Sequence, residues 1–125
     1  MATLIPSPDN IPVYWVWFKV LLIVTFTAHI LLMNITLWSV IIAFFSGLKK
    51  SPDSAAISLQ KEISEKTTFI MAFTINFGVA PLLFLQILYG NFFYTSSVLM
   101  AAYWLSVIML LIIAYYCAYI YKFRF

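Results

Sequence analysis

The sequence predicts an all-α membrane protein: three transmembrane helices plus a short cytoplasmic amphipathic helix, forming part of a larger helical bundle. Three observations predict it. First, 65% of the 125 residues are hydrophobic and only 9% are charged, whereas a soluble domain carries about 25% charged residues. Second, the apolar residues gather into three runs, each long enough for the ~20 residues a bilayer crossing requires. Third, no Asp or Glu falls inside any of these runs, and the basic residues stand at their ends. The net charge of +3 is spread over those ends, and the 19% aromatic content suits lipid and interface, so nucleic acid is not an expected partner. The single cysteine, Cys117, excludes an intrachain disulfide, a cysteine metal cage and the paired-cysteine attachment of c-type haem. No cleavable signal is expected, because MATLIPSPDN contains no Lys or Arg and leads into a long helix.

Taken in order, residues 1–12 read as an irregular arm, with Pro6, Pro8 and Pro12 near Asp9 and Asn10. The first span is expected over about 13–46. It opens with Tyr14, Trp15, Trp17 and Phe18, an aromatic belt of the kind found at a membrane interface, and Lys19 can snorkel to the same level. Gly47 closes it, and Lys49 and Lys50 follow where cations suit a helix C-terminus. Residues 51–66 are expected as a short amphipathic helix at the membrane surface, a separate element or an extension of the second span. Ser51-Pro52 reads as its cap, Ala55, Ala56, Leu59 and Ile63 as its apolar face, and Lys61, Glu62, Glu65 and Lys66 as its wet face. The second span, about 67–90, contains Asn76, Gly78, Pro81 and Gln86, and the proline is expected to kink it. Gly90-Asn91 reads as a tight turn. The third span, about 96–121, is capped by Thr95 or Ser96 and ends in Tyr115, Tyr116, Tyr119 and Tyr121, a second interfacial belt, before Lys122 and Arg124. The whole chain, 1–125, reads as one membrane domain without internal repeats. Six basic residues, Lys49, Lys50, Lys61, Lys66, Lys122 and Arg124, lie toward one side and only Lys19 toward the other. The positive-inside rule then places the N-terminus outside and the C-terminus in the cytoplasm.

The residue of greatest chemical interest is His29, the only histidine in the chain. It lies ten residues past Lys19, roughly 15 Å down a helix, in the outer half of the bilayer or near its middle. An ionisable ring at that depth is a functional-site hypothesis by default. Thr25, Met33 and Thr36 share its helical stripe with larger apolar residues. A flat apolar cofactor could lie along that stripe with His29 as an axial ligand, because neutral imidazole is a common haem iron ligand and metal binding offsets the cost of burial. The alternative is a histidine that hydrogen-bonds to Thr, Asn or Gln on a neighbouring helix and serves as glue. Met33 shares His29's face, cannot take the opposite side of one haem, and reads as packing. The spans hold no intramembrane carboxylate for a proton pathway, no phosphate-binding glycine loop, no Ser-His-Asp set and no HExxH.

Two stretches carry a resemblance to a known family. His29-Ile-Leu-Leu-Met-Asn-Ile-Thr36-Leu37 is followed by a basic connection. Then come Asn76-Phe77, Gly78-Val79-Ala80 and Gln86-Ile-Leu-Tyr89-Gly90-Asn91. In order and spacing, over roughly residues 25–91, this resembles the N-terminal part of the large subunit of cytochrome bd quinol oxidases. The third span matches only as another apolar helix. The resemblance implies one haem b with His29 as its axial metal ligand; Thr25 and Thr36 on the His29 stripe, with Asn76 and Gln86 on the second span, are the candidate polar neighbours of the cofactor. Gln86 stands where that family has a proton-delivering glutamate, and an amide cannot shuttle a proton by ionising. The family's further glutamate on the third helix is also missing, as are its quinol-binding loop and the ligands of its other haem. The expectation is therefore a haem-b-binding subunit of a respiratory, quinol-linked electron-transfer complex in a bacterial or archaeal cytoplasmic membrane, and not a complete oxygen reductase. Other membrane subunits would complete the bundle, quinone or quinol would be reached through them, and a multihaem cytochrome is a candidate redox partner. The alternative is a non-catalytic anchor subunit of a membrane redox complex without its own haem.

Overall fold

The computed structural model describes residues 11, 13–48 and 53–124. The proline-rich arm apart from Ile11, Lys49, Lys50 and the Ser51-Pro52 cap lie outside the described residues. The remainder is helical: α1 (Val16–Gly47), α2 (Ser54–Leu99) and α3 (Ala101–Phe123). All three helices are long and apolar enough to cross a membrane, and the chain is a multi-pass, all-α membrane protein.

α1 begins at the aromatic belt, where the Lys19 ammonium lies 5.5 Å from the centre of the Trp15 ring, a cation–π contact that keeps the charge at the interface. It ends at Gly47 with Leu48 as C-cap. α2 departs from the expected boundaries at both ends. No separate amphipathic helix exists, because α2 starts at Ser54 behind the extended Asp53 and runs without a break into the second span. Ser64-Glu-Lys-Thr-Thr68 contains neither Gly nor Pro, so nothing interrupts the hydrogen-bond ladder there. The buried face of this extension is also different. Gln60, Ser64, Thr67 and Thr68 are buried, while Leu59 remains 44% exposed. Small and polar side chains let helix backbones approach closely in a membrane, and the Thr68 and Ser64 hydroxyls are satisfied by the carbonyls of Ser64 and Lys61. Glu62 and Lys66 form an exposed ion pair one turn apart, which holds the Glu62 carboxyl below its ordinary pKa.

At its far end α2 continues through Gly90-Asn91 to Leu99. Its one non-helical residue among those described is Tyr89, at φ −133° and ψ 33°. Pro81 lies buried inside the helix without disturbing its dihedral angles. The kink that the backbone shows falls at Tyr89, beside Gly90. Thr95 and Ser96 return their hydroxyls to the carbonyls of Asn91 and Phe93 inside α2. The chain breaks at Met100, the residue that precedes α3.

Packing is sequential. α1 lies along α2, α3 lies along α2, and α1 and α3 do not meet among the described residues. The first pair is antiparallel, since Phe18 meets Phe84 with ring centres 6.4 Å apart while Thr36 meets Thr74. α3 turns back at Met100, and its face from Ile108 to Phe123 lines a groove together with Ile75 of α2. Among the described residues no hydrophobic side chain is fully buried. A core that excludes water is not what joins these helices; van der Waals contact and interhelical hydrogen bonds are.

Candidate functional site

The chemistry of the chain converges on the α1–α2 seam. His29 points across it, and its Nδ1 lies 2.9 Å from the backbone carbonyl oxygen of Thr74. A carbonyl only accepts, so Nδ1 is the protonated ring nitrogen. The carbonyl has two lone pairs, one for the Gly78 N–H of its own helix and one for the imidazole. The Nε2 atom makes no hydrogen bond among the described residues, and in the neutral ring it carries the free lone pair.

Gly78, one turn on from Thr74, makes room for the ring. A Cβ placed there would lie 2.8 Å from His29 Cε1 and 3.1 Å from Nδ1, closer than unbonded atoms tolerate. Any side chain at 78 would therefore push the imidazole off its carbonyl. The seam is extended by Thr36, whose Oγ1 lies 3.2 Å from Thr74 Oγ1. Each threonine also bonds back to its own helix, Thr36 to Leu32 O and Thr74 to Ile70 O, both at 2.9 Å. This satisfies the hydroxyls where water is absent. Pro81, buried three residues beyond Gly78, has no N–H, so the Phe77 carbonyl lacks its usual helical donor. A histidine, two threonines, a glycine and a proline thus share one stretch of seam inside the apolar spans.

The remaining residues singled out in the sequence lie elsewhere. Thr25 bonds back to Leu21 O at 2.7 Å and Leu22 O at 3.3 Å; it shares the His29 stripe but makes no bond to the ring. Asn76 is exposed and bonds to Ala72 O of its own helix. Being two residues from Thr74 and from Gly78, it lies about 200° round the helix from each, away from α1. Gln86 is exposed and twelve residues past Thr74, about 18 Å along the helix, level with the aromatic end of α1 near Phe18. The structure brings Thr36 into the His29 seam and leaves Asn76 and Gln86 outside it. Two members of the site, Thr74 and Gly78, have no individual signature as ligands. Their spacing does carry one: two small residues four apart in a membrane span mark a close helix contact.

Among the described residues no three His, Cys, Asp or Glu side chains cluster, so a metal cage made of protein ligands alone does not fit. One axial imidazole does fit. Its Nδ1–H is fixed by a backbone carbonyl, the second-shell arrangement that orients a ligating histidine and selects Nε2 as the donor. No family model matches the chain, and no curated protein or solved structure is significantly similar to it.

Proposed function

We propose that this chain is a haem-b-binding transmembrane subunit of a quinol-linked electron-transfer complex, similar to the N-terminal part of the cytochrome bd large subunit. The observation that carries the reading is the His29 Nδ1–Thr74 carbonyl bond, which orients the ring and reserves Nε2 for a metal. Thr74 supplies the orienting acceptor, Gly78 the space for the ring, and Thr36 the brace that holds Thr74 against α1. Bound there, haem b would supply one-electron transfer. Among the described residues the half-buried His29 lies between two helices, so other membrane subunits complete the enclosure of the group and provide the route to quinol. A multihaem cytochrome is the candidate partner for onward transfer. The surplus of Lys and Arg at one end supports an N-terminus outside and a C-terminus in the cytoplasm of a bacterial or archaeal inner membrane.

The same bond favours a second reading, a non-catalytic anchor subunit. An interhelical hydrogen bond in a membrane contributes about 0.6 kcal/mol and at most about 1.7 kcal/mol, enough to make His29 useful as glue alone. The two readings separate in a reduced-minus-oxidised optical spectrum with pyridine haemochrome quantitation, taken on the purified complex for wild type and His29→Ala. The haem reading expects the b-type signal to disappear from the variant while the complex still migrates at full size on a native gel. Unchanged haem per complex would leave His29 as glue and establish the anchor.

A further inference from the structure

The α3 face from Ile108 to Phe123, with Ile75 of α2, lines an open apolar groove of about 820 Å³. We propose that this groove binds one anionic glycerophospholipid, acyl chains along α3 and headgroup at Lys122 and Arg124. This inference is independent of whether His29 holds haem.

Three features select this occupant. The first is length. Ile108 to Phe123 spans fifteen residues, about 22 Å of helix. One leaflet including its headgroup zone is half of ~40–45 Å, so the groove matches a single leaflet. A partner helix would need a channel through both. The second is aromatic placement. Tyr115, Tyr119 and Phe123 stack in succession, with ring centres 5.2 and 6.1 Å apart. They sit toward the charged end of the groove, where the hydroxyl tips of Tyr115 and Tyr119 suit headgroup level. The third is charge. Lys122 is seven residues past Tyr115 and eleven past Leu111, so it continues the groove-lining stripe. Arg124 follows Ile120 by one turn. α3 contains no Asp or Glu, and neither cation is in an ion pair among the described residues. Two cations with no carboxylate partner among the described residues, at the mouth of a one-leaflet apolar groove, complement a phosphate headgroup with a net negative charge.

The test uses the full chain reconstituted in phosphatidylcholine nanodiscs containing phosphatidylglycerol, released into mild detergent and weighed intact by native mass spectrometry. Wild type is expected to retain phosphatidylglycerol over phosphatidylcholine. The double variant Lys122→Gln/Arg124→Gln should reduce that preference ~tenfold or more, since each cation near an anionic headgroup is worth about fivefold. Ile112→Trp, at a site 49% exposed, should fill the groove and remove retained lipid of either kind. If that variant misfolds, the charge variant carries the test alone. Equal retention of the two lipids by wild type would overturn the proposal, as would a preference that survives loss of both cations. So would a photo-crosslinker at position 112 that captures a protein helix instead of a lipid.

Discussion

The two helix contacts in this molecule are built from opposite materials. The α1–α2 seam is close and polar: His29 bonds the Thr74 carbonyl, its ring fills the space over Gly78, and Thr36 meets Thr74. The α2–α3 contact is apolar and parts into a groove, with no interhelical hydrogen bond given by its lining residues. In water both would be driven by burial of apolar surface. In lipid that force is absent, and a contact becomes tight only where small residues allow approach and polar groups must find partners. The first seam has both devices, whereas the groove beside α3 is lined by large aliphatic and aromatic side chains. The same contrast explains why the candidate site lies in one and the candidate lipid groove in the other.

Gly78→Leu should break the contrast most completely. Its side chain would displace the imidazole and overpack the seam, a cost of about 1–3 kcal/mol, read as a fall in the thermal midpoint and, on the haem reading, loss of the b-type spectrum. Replacing a half-exposed groove residue such as Ile112 with Ala should do much less. An equal fall for both would mean that the two contacts do not differ in kind. Thr36→Val sharpens the comparison at smaller scale. It removes one hydroxyl–hydroxyl contact and should cost about 0.6 kcal/mol, measurable in a reversible unfolding assay in mixed micelles, with haem content unchanged. The smallest effect belongs to the exposed extension of α2. Glu62 has its pKa lowered by the Lys66 ammonium. A lowered carboxyl pKa favours the folded state above the ordinary value, and the benefit is lost as pH falls through the folded-state value. Because the pair is fully solvated, Lys66→Ala should return the Glu62 titration upward by NMR while leaving the melting temperature in place.

Much of this architecture can be read from the residues alone. Three apolar runs and the aromatic clusters at their ends give three spans, because hydropathy and interface chemistry depend on composition more than on partners. The turn expected at Gly90-Asn91 and the surface helix expected at 51–66 were harder. Both depend on whether a helix continues: the surface segment runs on into the second span, and the break expected at Gly90-Asn91 falls at Tyr89, where two helical stretches meet across a kink. His29 is conspicuous as the sole histidine in an apolar run. Its partner is not conspicuous, because the acceptor is a backbone carbonyl, identical at every residue. Thr74 and Gly78 become identifiable only once α2 is laid antiparallel to α1. Asn76 and Gln86 attract attention by polarity, yet helical geometry puts the first on the far side of α2 and the second at the far end of the span.

That α1 and α3 do not touch among the described residues has a consequence for how the protein is made. A ribosome delivers both strands of the His29–Thr74 latch well before the last helix has emerged. The 26 residues from Met100 to Phe125 take roughly 1–5 s to add at ~5–20 residues per second. Helix motions relax in far less than that interval. The first two helices can therefore lock as a hairpin at the translocon, and the third is laid down afterwards on a surface already formed. Errors in late synthesis would spare the latch, and a chain truncated after Leu99 and released from the ribosome should already protect His29.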